Sequence, residues 1–244
     1  MKTVLVTGSS SGLGKSIIEK FASMGYNTII TYNTKFEKAK IFNSYIKEKY
    51  KVNSEFYKLD ITDEENINSL VTTLKNKQIN IDVLVNNAGI AIDNEYTDKT
   101  KEEFLKVVTT NLVGTFLVTK AFGSLMYESK NGVIINVSSN NSIDSYYSES
   151  IDYDASKAGI NNMTHNFANI LSPYIRVNTV CPGWIDTPMN AGLSDSFKEK
   201  ENEKILLKRF ASPIEIANLV YFLASDEASY INDAIIKIDG GKKC

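Results

Sequence analysis

Tyr153 and Lys157 are the residues whose types and spacing most directly suggest chemistry, in the run Tyr153-Asp154-Ala155-Ser156-Lys157. Four positions apart on a helix, they put a weak acid and a fixed cation on one face. Bringing a phenol from its ordinary value near ~10 to neutrality takes a shift of roughly three units, or about 4 kcal/mol of preferential stabilisation of the phenolate. A lysine ammonium, with a cationic cofactor ring beside it, supplies charge of the required sign. The spacing alone is a weak signal in a chain with 13 tyrosines, and Tyr45-x-x-x-Lys49 repeats it at what reads as an exposed helix end. What separates the two pairs must lie in the elements around them.

The chain has 244 residues, 43% hydrophobic and 23% charged, with a formal net charge of -2. This ordinary soluble balance supports one sizeable core and gives no reason to expect nucleic acid or an anionic membrane as partner. No apolar run is long enough to span a bilayer, and Lys2 leads straight into a short strand pattern instead of a signal-peptide core, so the expected location is the cytoplasm. Cys181 and Cys244 stand far apart, which argues against a disulfide framework, and Cys181 reads as a small core residue. The one histidine, His165, excludes multi-histidine metal sites; on a polar helix stretch it reads as solvated or at a subunit contact, and no metal is expected.

The elements that must position the pair begin with Lys2 to Thr7, an unbroken apolar run of the kind buried parallel strands favour. The turn Gly8-Ser9-Ser10-Ser11-Gly12-Leu13-Gly14 follows and opens a helix with Leu13, Ile17, Phe21 and Met24 at helical spacing. Strand, glycine turn and helix form a setting in which backbone N–H groups hold a phosphate. A Walker loop would need glycine where Ser9 stands, which disfavours phosphoryl transfer. The Gly-x-Gly-x-x-Gly dinucleotide spacing is not matched either; the chain has Gly-x-x-x-Gly-x-Gly.

A second strand, Asn27 to Tyr32, runs into Asn33-Thr34-Lys35. With no acid at its end and a lysine close by, NADP(H) is favoured over NAD(H), which stays as the alternative. A third strand, Glu55 to Leu59, ends at Asp60-Ile61, where an acid could meet an adenine amino group. Thr62-x-x-Glu65 and Thr100-x-x-Glu103 read as capping boxes. The fourth strand, Ile81 to Val85, ends in Asn86-Asn87-Ala88-Gly89, small residues that allow close approach of a ligand. Asn111 interrupts a long helical region through Tyr127, a local violation of the sort that gathers at functional sites. Val133 to Val137 is the fifth strand with Ser138-Ser139 at its carboxyl end, Arg176 to Val180 the sixth and Ala234 to Ile238 the seventh. Strands alternating with amphipathic helices predict a doubly wound, seven-stranded parallel α/β sheet, Rossmann-like, as a single domain over 1–244.

Together these residues resemble the short-chain dehydrogenase/reductase family over nearly the whole chain. The matches are Thr7-Gly8-x-x-x-Gly12-x-Gly14, Asn86-Asn87-Ala88-Gly89, Asn111, Ser139, Tyr153-x-x-x-Lys157 and Pro182-Gly183-Trp184-Ile185-Asp186-Thr187. The resemblance implies that Tyr153 is the proton donor in reduction and the base in oxidation. It makes Lys157 the group that holds the cofactor ribose and lowers the tyrosine pKa, and Ser139 the one that binds the substrate carbonyl oxygen. Asn111 would fix a water leading from Lys157 to solvent. The turn carrying Ser10, Ser11, Gly12, Leu13 and Gly14 would meet the pyrophosphate; Pro182, Gly183, Ile185 and Thr187 would meet the nicotinamide end. The loop from Ser139 to Tyr153 is about one residue longer than usual, which leaves Ser138 and Ser142 as alternatives to Ser139.

The likeness is greatest to the 3-oxoacyl-acyl-carrier-protein reductase branch, through Ser212-Pro213-Ile214-Glu215-Ile216-Ala217 and Asp239-Gly240-Gly241. An acidic carrier protein needs a basic patch near the site, for which Lys130 is available. Asp144, Glu149 and Asp152 in the active-site loop keep a polar small molecule such as a sugar, polyol or hydroxylated ketone as the alternative substrate. The stretch 187–209 has the composition of a mobile lid, or of an ordinary charged helix pair. A catalytically silent nucleotide-binding regulator need not keep Asn111, Ser139, Tyr153 and Lys157 together, and an isomerase or dehydratase on this fold would normally need a longer C-terminal substrate region. By family likeness the chain is expected to form a homotetramer through the helices around Asn111 and Tyr153 and through the last helix and strand, with Phe116, Phe122 and Phe167 serving either the core or that contact.

Overall fold

Alternation along β1 (Thr3–Val6) shows how the layers arise: Val4 and Val6 point into one apolar core and Leu5 into another, so both faces of the strand are buried. The computed structural model describes residues 1–242, so Cys244 lies outside the described residues. The other strands are β2 (Asn27–Tyr32), β3 (Ser54–Lys58), β4 (Val83–Asn86), β5 (Gly132–Val137), β6 (Ile175–Pro182) and β7 (Ile235–Ile238). All seven lie parallel in the order β3-β2-β1-β4-β5-β6-β7. The order reverses between β1 and β4, and ligands bind outside the carboxyl ends of strands at such a switch point.

Helices α1 (Gly12–Ser23) and α2 (Phe36–Tyr50) cover the Val4 and Val6 face through Ile17, Phe21, Ala39 and Phe42. On the Leu5 face lie α3 (Glu64–Asn76), through Ile67, Leu70 and Leu74, and a long helical region built of α4 (Lys101–Val108), a π-helical turn (Thr109–Val113) and α5 (Gly114–Glu128). Asn111 sits in that π turn, a form common at functional sites. Next come α6 (Ile151–Leu171), α7 (Asp195–Lys204) and α8 (Pro213–Ala224), the last packed against α1. No helix among the described residues is long and apolar enough to cross a membrane.

Two local expectations change. The box Thr100/Glu103 forms, but α3 starts one residue later than Thr62/Glu65 implies: Asp63 caps it by accepting from Asn66 N, and Thr62 turns back to Asp60. Within 187–209 there is a short 3-10 turn (Pro188–Asn190) and one helix, α7, in place of a helix pair. Glu201 of α7 is buried, accepts from Trp184 Nε1 at 2.7 Å and pairs with Lys204 and Lys242.

Candidate active site

A cleft of about 570 Å³ opens at the carboxyl edge of the sheet. One end is the β1–α1 turn, where Ser11, Gly12 and Leu13 form the wall and Gly8, Ser10 and Gly14 do not line it. A Cβ on Gly14 would lie 2.6 Å from Asn87 Nδ2 and 2.8 Å from Ser9 Cα, so only glycine lets α1 sit this close to the next loop. That loop is stitched to the turn: Asn87 N and Ala88 N both donate to Thr7 Oγ1 at 2.9 Å, and Asn87 Nδ2 donates to Thr7 O at 2.9 Å. Ser11 occupies the N-cap of α1 without capping it through its side chain, which leaves the first amides of the helix available to an anion.

At the β2 end, Lys35 lines the cleft and Asn33, Thr34, Asp60 and Ile61 do not. Asn33 Nδ2 donates to Asp60 at 3.1 Å. The Thr62 hydroxyl, then its amide, hold the Asp60 carboxyl below its ordinary range. Ile61 is core, packed where a Cβ on Gly114 would meet it at 2.8 Å.

The other end gathers residues from β5, β6 and α6. Ser139 stands two residues past the end of β5, and its hydroxyl acts on the Tyr153 phenol in favour of the ionised form. Lys157, one turn along α6, puts its ammonium 5.4 Å from the Tyr153 ring centre and donates to Val137 O at 2.8 Å. Among the three candidate serines the bonding differs. Ser138 donates to Lys157 O at 2.9 Å, and Ser142 is enclosed by Ser138, Asn161 and the Ser139 carbonyl. Ser139 alone of the three both lines the cleft and acts on the Tyr153 phenol. Pro182, Gly183, Ile185 and Thr187 form the wall beyond β6. Asn111 does not line the cleft; it is fully buried, accepts from Ile90 N at 2.8 Å and donates to Ile90 O at 2.9 Å and Ser156 Oγ at 3.1 Å.

The electrostatics differ from the expected lowering of the phenol. Within the protein's own groups, burial pushes Tyr153 well above its ordinary value; the Asp154 and Asp93 carboxylates add to this and the Ser139 hydroxyl opposes it. Burial also pushes the Lys157 ammonium down to about 8. Desolvation disfavours the charged form of both groups.

A family model described as Enoyl-(Acyl carrier protein) reductase matches residues 8–243. The chain is 40% identical over 241 residues to the 3-oxoacyl-acyl-carrier-protein reductase of Aquifex aeolicus (strain VF5), covering 98% of this chain and 96% of that one. It is 39% identical over 243 residues to the reductase of the same name from Thermotoga maritima, covering 98% and 97%. The chain belongs to the short-chain dehydrogenase/reductase family. Solved structures agree. A 3-oxoacyl-acyl-carrier-protein reductase from Brucella melitensis aligns at TM-score 0.91 and 27% identity over 99% of this chain and 91% of that one. A putative gluconate dehydrogenase from Agrobacterium tumefaciens aligns at 0.93 and 29% over 98% and 95%. As a short-chain dehydrogenase/reductase, this is an oxidoreductase of the CH–OH/C=O pair, similar to the 3-oxoacyl-acyl-carrier-protein reductases, and its family implies a nicotinamide cofactor. The cleft fits such a group: its lining includes the small residues Gly12, Ala88 and Gly89, and the helix that starts at its edge has no side-chain cap.

In this dehydrogenase/reductase the cleft is lined in part by residues the sequence did not single out. Asp144 pairs with Lys237 at 2.7 Å, Glu149 accepts from Tyr147 at 3.0 Å, and Asp152 is buried against Lys99 at 3.2 Å; none of these three acids lines the cleft. The acid that does is Asp93, which accepts from the Ser150 hydroxyl; Asn140, Asn141 and Trp184 line the same cleft. Its only signal in the sequence is its place four residues after Gly89, in the loop that leaves the cleft floor.

Proposed function

We propose that the chain is an NADP(H)-dependent carbonyl reductase of the 3-oxoacyl-acyl-carrier-protein reductase kind, with Tyr153 as its general acid. The observation that carries this reading is the meeting of Ser139, Tyr153 and Lys157 at one end of a cleft whose other end is the glycine turn and Lys35. The nicotinamide supplies a hydride to the carbonyl carbon when bound. Ser139 donates a hydrogen bond to the carbonyl oxygen, and Tyr153 gives that oxygen its proton as negative charge develops there. Lys157 holds the ribose and offsets the cost of the phenolate that Tyr153 leaves behind. Asn111 keeps the Gly89–Ile90 backbone and Ser156 in place, so the floor and the turn before Lys157 hold one geometry. NADP(H) is favoured over NAD(H) because Lys35 faces the cleft and no carboxylate of the β2 end does.

Tyr153→Phe is expected to keep nucleotide binding, read by thermal shift with NADPH and NADH, and to lower turnover of an acetoacetyl thioester by about 10²–10⁴-fold. Turnover at the wild-type level in that variant removes Tyr153 as the acid. NADH stabilising the protein as well as NADPH would remove the cofactor preference.

A specific observation supports a second substrate class. Lys130 stands between α5 and β5, at the amino edge of the sheet, with its ammonium 5.5 Å from the Tyr174 ring, on the side opposite the cleft. Within one chain it therefore offers no basic patch to a carrier protein, and the polar wall of Asn140, Asn141 and Ser150 suits a hydroxylated ketone. A panel containing both an acyl thioester and hydroxylated ketones separates the two.

A further inference from the structure

We infer that Asp93 is a charge filter at the substrate end, which admits uncharged carbonyl compounds and disfavours those that carry a carboxylate. The inference rests on the reductase reading and narrows its substrate class. Three observations support it. First, Asp93 lines the same cleft as Tyr153 and Ser139, and its carboxylate is near enough to act on the Tyr153 phenol.

Second, it is held there. The Ser150 hydroxyl donates to Asp93 Oδ1, Asn94 N donates to Glu149 O at 2.9 Å, and the Lys99 ammonium bonds Ile92 O while pairing with buried Asp152. Three of these ties join the loop carrying Asp93 to the residues just before Tyr153, and the fourth, Lys99 to Ile92 O, closes the loop on itself, so the carboxylate is kept from swinging aside. Third, no cation that lines the cleft faces it, and Lys99 beside Ile92 is buried and paired with Asp152. Among the described lining residues only Lys35 and Lys157 are cationic. Lys35 belongs to the far end, after β2, and the Lys157 ammonium is buried and committed to Val137 O. The remaining polar side chains near Asp93 are neutral, so a substrate carboxylate entering this end meets a fixed like charge with no compensating partner.

The test uses ethyl acetoacetate and acetoacetate, which share one carbonyl and differ by one charge. Wild-type kcat/KM with NADPH is expected to favour the ester by about tenfold or more at low salt, with the gap shrinking as salt is added. Asp93→Asn should reduce that ratio at least about threefold by raising the acid's value, as expected for a like charge at close range. A wild-type preference for the acid, or a ratio that Asp93→Asn leaves unchanged, overturns the filter.

A binding readout separates this from failure of the reductase reading. Trp184 is the only tryptophan of the chain and lines the cleft, so quenching of its fluorescence reports ester and acid binding without turnover. Selective quenching by the ester that Asp93→Asn abolishes, in a protein that reduces neither compound, keeps the filter and counts against the reductase. Equal quenching by both compounds, in wild type and variant alike, counts against the filter.

Discussion

Tyr45 and Lys49 repeat the spacing of Tyr153 and Lys157, and in both pairs the ammonium lies near the ring, at 5.0 and 5.4 Å from its centre. The environments are opposite. Lys49 is on the surface, where the Tyr45 hydroxyl raises its pKa, whereas Lys157 is buried and depressed to about 8. For Lys157 the sign of the linkage follows directly. Between about pH 8 and 10.5 the unfolded chain still binds the proton that the folded chain has lost, so stability of the nucleotide-free protein rises with pH across that window. Below it the charged, desolvated ammonium costs on the order of 3 kcal/mol. Lys157→Met should therefore raise the nucleotide-free Tm at pH 7 and flatten its dependence between pH 8 and 10.5, read by thermal melts across that range. A lower Tm at pH 7, or an unchanged slope, would show that the hydrogen bond to Val137 outweighs burial.

At the scale of elements, the site depends on two segments far apart in sequence being locked together. The loop after Gly89 and the start of α6 meet through the buried Lys99–Asp152 pair, whose side chains are 4% and 0% exposed. Asp152 also accepts from Tyr153 N at 2.9 Å, so the pair fixes the first turn of the helix that carries the phenol. Removing one partner of a buried ion pair leaves an uncompensated charge, at a typical cost of about 3–5 kcal/mol. Lys99→Met alone should reach that range in denaturant unfolding, and Lys99→Met with Asp152→Asn should recover most of it. A double variant no more stable than the single one would mean that the pair is not the principal tie. The π turn at Asn111 adds a second tie between the same two segments, since its side-chain amide satisfies both backbone groups of Ile90 and donates to Ser156 of α6.

For the whole molecule, the apolar side chains left outside the core are informative. Phe122 is fully buried, whereas Phe116 is exposed on α5 with its ring centre 6.2 Å from that of Phe167 on α6. Phe104, Leu105, Val113, Ile151 and Ile170 extend an exposed apolar surface over α4 to α6. The expected assembly is a homotetramer that covers this face, with a light-scattering mass four times that of the chain and dissociation on Phe116→Glu. A monomeric mass for the wild type would remove it. The sequence by itself determined the order of strands and helices, the glycine turn and the Tyr153/Lys157 pair, because hydrophobic period and turn chemistry act over a few neighbouring residues. Its strand limits agree with the structure to within two residues, and Asn111 was already visible as a break in helix propensity. Only the tertiary structure shows which serine acts on the phenol, that Asp93 and not Asp144, Glu149 or Asp152 lines the cleft, and that burial lowers the Lys157 pKa. Ser150 meets Asp93 across 57 positions and Asp152 meets Lys99 across 53. Contacts of that separation depend on how the layers pack, which no local pattern of residue types encodes.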